Sequence, residues 1–173
     1  IAVGLYCVSR ELGAGRTPSL RQSFVLARRV AGQAGVFALA QLVILLVWSR
    51  AGMMLSAFFP VDANDTAMLF EYLAVGSAIG TAFAALTFAT AAVSLPMIAD
   101  RDVDMITACI SSINAVLRNK PAMLLWAFLI AVLTVVGFAT VFIGLVVIMP
   151  WLAYATWHAY RETLQSGDWP VLD

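Results

Sequence analysis

The chain has 173 residues, of which 62% are hydrophobic and only 12% charged, against roughly 45–50% and about 25% in ordinary soluble domains. That composition excludes a water-solvated catalytic domain and makes lipid the expected solvent. Ten Lys and Arg balance ten Asp and Glu, which leaves no basic stripe of the kind that seeks nucleic acid.

Taken in chain order, the sequence opens at Ile1 with no initiator Met, no basic n-region and no small-residue cleavage site, so an upstream piece is expected. Residues 1–10 read as the tail of a preceding hairpin. Residues 17–100 read as a surface helix followed by a transmembrane hairpin. In its first part, Ser19 to Val30, the apolar residues Leu20, Phe24 and Ala27 share a face opposite Arg21, Gln22, Arg28 and Arg29, as in a helix lying on a membrane surface. A bilayer core of about 30 Å needs roughly 20 apolar helical residues. The charge-free run Val30 to Ser49, continued past Arg50 by Ala51 to Phe59, supplies one span, and Tyr72 to Ala99 supplies a second.

Residues 101–164 repeat the plan. Met105 to Leu117 carries an apolar stripe of Ile106, Ile110, Ile113 and Leu117 opposite Ser111, Ser112 and Asn114. Pro121 to Trp157 is charge-free and too long for one straight crossing at about 1.5 Å per residue. Two spans joined by a tight turn near Gly137 to Gly144 are expected, with a single broken helix as the alternative. Pro150 should kink the last span. Residues 165–173 form a C-terminal tail. The fold class is therefore an all-α polytopic transmembrane bundle of about four spans with interfacial amphipathic helices and a weak internal repeat. The repeat shows as a span exit followed by an Arg-acid pair, at Arg10-Glu11, Arg101-Asp102 and Arg161-Glu162.

Basic residues gather at Arg10 to Arg29, at Arg101 to Lys120 and at Arg161, while the connection Pro60 to Ala67 carries Asp62 and Asp65 alone. The positive-inside rule then places the Arg-rich segments and the C-terminus in the cytoplasm and the acidic connection outside. Cys7 and Cys109 fall beside the cytoplasmic segments, where thiols stay reduced, and no disulfide is expected.

Few residues offer chemistry. Arg50 and Glu71 are the charges at the outer ends of the first two spans, and a clamp between them is favoured over separate snorkelling or a transport role. Gly76, Gly80 and Ala84 form a small-residue row for packing within the bundle or against a foreign helix. Asp100, Arg101, Asp102 and Asp104 form a cytoplasmic charge cluster, read as a solvated terminus or a docking surface. Trp157, His158, Tyr160 and Arg161 read as an interfacial belt, with His158 as a remote candidate for proton relay. One histidine excludes bis-histidine haem within the chain. Met53, Met54 and Met68 have soft donors for Cu(I), but Met more often fills gaps between helices. No catalytic residue, cofactor or metal is expected.

The strings Gly4-Leu5-Tyr6-Cys7-Val8-Ser9-Arg10, Ser94-Leu95-Pro96-Met97-Ile98-Ala99-Asp100-Arg101-Asp102-Val103-Asp104 and Ala155-Thr156-Trp157-His158-Ala159-Tyr160-Arg161-Glu162 resemble the signature segments of a bacterial integral membrane family catalogued as domain of unknown function 2189. The resemblance runs from Ile1 to Leu164. It implies a multi-pass protein of the bacterial inner membrane with more sequence upstream and no established activity. Labels tying some members to cytochrome c oxidase are associations without a mechanism. The expected function is a non-catalytic accessory subunit or assembly factor of a larger inner-membrane complex, a respiratory one among the candidates, whose partners are lipid and another integral membrane protein. The alternative is a small-solute transporter built from repeated hairpins.

Overall fold

A computed structural model of the chain describes residues 2–13, 15, 17–59, 65–164 and 170. Every secondary-structure element among them is helical: α1 (Ala2–Gly13), α2 (Leu20–Phe58), α3 (Thr66–Ala91), α4 (Ser94–Asp100), α5 (Met105–Arg118), α6 (Lys120–Ala139) and α7 (Ile143–Thr163). The all-α class is as expected. Four stretches among the described residues are long and apolar enough to cross a membrane: Leu20–Phe58, Thr66–Asp100, Lys120–Ala139 and Ile143–Thr163.

The expected surface helix before the first span is not a separate element. α2 runs unbroken for 39 residues, roughly 58 Å at about 1.5 Å per residue, nearly twice the hydrocarbon core. No Gly-Pro or turn signal interrupts Ser19 to Val30, so nothing stops the helix from propagating. Leu20 and Phe24 of the expected lipid-facing side are exposed, while Leu26 and Val30 are buried against the protein.

The chain forms two compact units, one of Ile1–Gly35 with Ala89–Asp173 and one of Val36–Phe88. In the first, the break between α3 and α4 sets the arrangement. Pro96 has no N–H, and its ring would clash with the Ala92 carbonyl one turn back. The helix therefore opens at Ala92 and Val93 and restarts at Ser94. The polar groups at the break find partners on their neighbours. The Val93 amide donates to Ser112 Oγ at 3.2 Å, and the Ser94 hydroxyl reaches the carbonyls of Thr90 at 2.5 Å and Ala108 at 3.1 Å. Val93, Ser94, Met97, Ile98 and Ser112 are almost wholly buried.

α5 packs on α4 through Ala108, Ser112 and Ala115, while Ile106, Ile110 and Leu117 are more than half exposed. Ile106, Ile110 and Leu117 of the expected stripe thus point away from the protein, while Ile113 is half-buried and Asn114, expected on the opposite side, is exposed. Asp104 caps α5, accepting from the amides of Ile106 and Thr107. The Thr107 hydroxyl bond at 2.6 Å, with the amide bonds behind it, holds the Asp104 carboxyl below its usual range. α6 follows at Lys120 with Pro121 in its first turn, where a missing N–H costs nothing.

α6 and α7 form the expected hairpin. Their turn, Thr140 to Phe142, holds Val141 and Phe142 at φ 52° and 67°, a left-handed bend unusual for such side chains. Hydrogen bonds from the Phe142 amide to the Gly137 carbonyl at 3.1 Å and from the Gly144 amide to Thr140 Oγ1 at 2.9 Å close it. Gly137 is needed because a Cβ there would collide with Leu145. α7 continues through Pro150.

In the second unit, Gly76 of α3 faces Leu55 of α2, with a Cβ position 3.3 Å from its Cδ2, and Gly80 faces Trp48. α3 has no buried residue. Asp65 caps α3 through the amides of Ala67 and Met68, whereas Asp62 lies outside the described residues.

The α3–α4 break generates a stability test. Replacing Ser112 by Ala strands the buried Val93 amide, and such an orphan costs about 1–3 kcal/mol. Thermal unfolding in detergent should show Ser112→Ala well below the parent and the half-buried neighbour Ser111→Ala close to it. Equal midpoints for the two variants would mean that the break is satisfied in another way.

Candidate functional site

The three signature strings meet in the first unit. α1, α4 and α7 pack on one another, which brings Tyr6 of α1, Asp100 at the end of α4, and Trp157 and Tyr160 of α7 into one cluster. Their aromatic residues form its centre. Tyr6 and Trp157 stack with ring centroids 6.0 Å apart, and Trp157 lies 5.8 Å from Tyr160 at an angle of 51°. Tyr160 is fully buried and Trp157 is 2% exposed.

That burial corrects the expected belt. Residues 157 and 160 lie three apart and share a helix face, which here turns to the protein, while His158 and Arg161 fall on the exposed side. The aromatic pair serves the core rather than the lipid interface.

The charge cluster also divides. Asp100 is largely buried, with its side chain 14% exposed, and its Oδ2 accepts from Arg101 Nε at 3.1 Å and from the Tyr160 hydroxyl at 2.9 Å. Arg101 thus turns to Asp100. The Asp102 amide donates to the Pro170 carbonyl at 3.1 Å, and Asp104 is the α5 cap. Of the four, Asp102 and Asp104 are exposed, so only they suit the expected solvated surface. A further tie comes from α2, where Gln33 Oε1 accepts from the Met105 amide at 3.1 Å.

The Arg50–Glu71 clamp does not form. Neither residue takes part in an ion pair among the described residues, and the Arg50 guanidinium instead lies 4.0 Å from Met53 Sδ. Helical periodicity gives the reason. At about 100° per residue, Arg50 lies on the side of α2 opposite Trp48 and Leu55, and Glu71 lies far round α3 from Gly76 and Gly80. Both are exposed. Of the small-residue row, Gly76 and Gly80 are covered by α2, and Ala84 is exposed.

Sequence reasoning missed three buried contributors: Tyr6, Ser94 and Ser112. Tyr6 and Ser94 lie within the quoted strings, so the signal was present as an aromatic or a hydroxyl at each span exit. Cys7 and Cys109 are free thiols. Burial pushes the Cys109 thiol above its ordinary value, and it donates to Met105 Sδ at 3.7 Å. Among the described residues no group of three His, Cys, Asp or Glu side chains converges as a metal site.

Removing the Tyr160 hydroxyl tests the cluster. Hydrogen bonds to a charged acceptor are worth about 1.5–3 kcal/mol, so Tyr160→Phe should lower the unfolding midpoint, and a double-mutant cycle with Asp100→Asn should show a positive coupling. Additive effects would separate the two residues.

No curated protein and no solved structure matches the chain. A family model described as predicted integral membrane protein (DUF2189) matches residues 1–100. The match takes in α1 to α4, with the first signature string whole and the second as far as Asp100, and stops short of the Trp157 to Tyr160 segment that completes the cluster. With more than half of its length matched, the chain belongs to this family of predicted integral membrane proteins, DUF2189.

Proposed function

We propose that the chain is a non-catalytic accessory subunit or assembly factor, docked beside another integral membrane protein in a bacterial inner membrane with its C-terminus in the cytoplasm. The observation that carries this reading is the orientation of α5. Its small residues Ala108, Ser112 and Ala115 turn inward, and its bulky aliphatic row Ile106, Ile110 and Leu117 turns outward. The residues with most chemical capacity in the signature strings, Asp100, Arg101, Trp157 and Tyr160, are spent on holding α4 and α7 together. Mutual packing of the three helix exits supports an assembly from repeated hairpins.

Three hydroxyls that a carrier could turn to a solute instead bond to their own helices. The hydroxyls of Thr81, Thr134 and Thr156 each donate to the carbonyl one turn back at 2.7 Å. This favours the accessory reading over the transporter.

Topology is open to direct measurement. Single cysteines at Asn64 and Gln165, in a background lacking Cys7 and Cys109, should label from opposite sides of sealed vesicles, with position 64 outside. Labelling of both from one side would refute the orientation.

The partner reading has its own test. A photo-crosslinker at Ile110 in native membranes should yield one stoichiometric protein adduct, lost from the same site when Leu117→Asp is added. Adducts to lipid and to the chain itself alone, together with solute flux in proteoliposomes, would replace the accessory role with transport.

A further inference from the structure

A second feature of the first unit lies between α1 and the start of α2, apart from the aromatic cluster. A cavity of about 560 Å³ opens there, within the size range of small-molecule sites. Three arginines line it, Arg10 from α1 and Arg21 and Arg29 from α2, together with Glu11. Arg10 Nε lies 4.0 Å from Glu11 Oε1, and Glu11 is 7% exposed. Arg21 and Arg29 are exposed and form no ion pair among the described residues. Three arginines against one glutamate leave the cavity with a surplus of two positive charges.

Its depth along α2 narrows the ligand. The charge-free run of α2 starts at Val30, so Arg29 borders the hydrocarbon and Arg21 lies about 12 Å further out at about 1.5 Å per residue. That interval covers the headgroup layer, which adds roughly 5–8 Å on each side of the core. The walls are mixed in a matching way. Val25 and the buried Leu26 form the apolar side of the cavity, and the flanking Leu12, Leu20 and Phe24 are well exposed. A phosphate at the arginines would thus leave attached acyl chains against apolar side chains. Guanidinium groups suit phosphate oxygens in both geometry and charge.

We propose that this cavity binds the phosphate of an anionic glycerophospholipid headgroup, with Arg21 and Arg29 as its principal ligands and Arg10 held in place by Glu11.

The test uses the full chain purified in a maltoside detergent and titrated with phosphatidylglycerol, read by native mass spectrometry and by the shift in unfolding temperature. Each basic residue near a membrane surface is worth about fivefold in affinity for anionic lipid, so Arg21→Gln with Arg29→Gln should bind roughly 30-fold more weakly. Arg21→Lys with Arg29→Lys should retain part of the affinity, which guards against loss through misfolding. Arg118→Gln with Lys120→Gln, away from the cavity, should bind like the parent. Phosphatidylcholine and inorganic phosphate at equal ionic strength should each give a much smaller shift. Full binding by the Arg21/Arg29 glutamine variant, an equal loss in the Arg118/Lys120 variant, or an equal shift from inorganic phosphate alone would overturn the proposal.

Discussion

In the hydrocarbon of a bilayer no water is available to rescue a backbone amide or carbonyl, so each must find a partner in the protein. This constraint governs the way the chain uses Pro96. At Pro96 the missing N–H and the ring clash coincide with a break in the second span, unlike Pro150, which α7 carries through. What the sequence can choose is the supply of partners for the broken ends. Ser112 receives the Val93 amide, and Ser94 reaches the carbonyls of Thr90 and Ala108. Those bonds join α3, α4 and α5 at one point, and they oblige α5 to approach closely. Only small residues allow that approach, which is why Ala108, Ser112 and Ala115 face inward.

The same demand explains why the bulky residues of α5 are on the outside. In a soluble protein the aliphatic stripe would be the buried face, since its burial drives folding. Against lipid the tails are as apolar as isoleucine, and close packing with hydrogen bonding decides which face meets the protein. Gly76 and Gly80 follow the same logic in the second unit, each giving room to a large side chain of α2. Inward-small and outward-large is therefore what close helix packing requires of α5, and it leaves the aliphatic row open to whatever meets that face.

Much of the fold was legible because span length and charge placement are coarse properties of composition. The hairpin of α6 and α7 could be inferred from the run Pro121 to Trp157 being too long for one crossing, even though its turn uses Val141 and Phe142 rather than ordinary turn residues. Other features depended on rotation about a helix axis, which sequence periodicity fixes only when the buried face is known. Arg50 and Glu71 are near in a hairpin diagram yet point away from the contact between their helices. Trp157 and Tyr160 looked like interface anchors because their side chains suit that role, but the exits of α1 and α4 bury them. The fusion of Ser19 to Val30 with the first span was hidden for another reason. A change in amphipathic character need not interrupt backbone hydrogen bonding, and no breaker stands there.

The signature strings acquire a physical meaning from their convergence. One carboxylate oxygen, Asp100 Oδ2, receives both the Arg101 guanidinium and the Tyr160 hydroxyl, fixing the end of α4 to the end of α7. Tyr6 fixes α1 to the same helix through Trp157. A largely buried carboxylate is costly unless it is paired and hydrogen-bonded, so the arrangement around Asp100 favours the register in which the helix ends meet. A slip of α7 by one residue would rotate Tyr160 away and leave the carboxylate with its near neighbour alone. The cluster thus selects one arrangement of helix exits against the many that apolar surfaces in lipid would tolerate. Fixing the exits in turn fixes the surfaces they carry, among them the basic cavity beside α1 and the aliphatic face of α5.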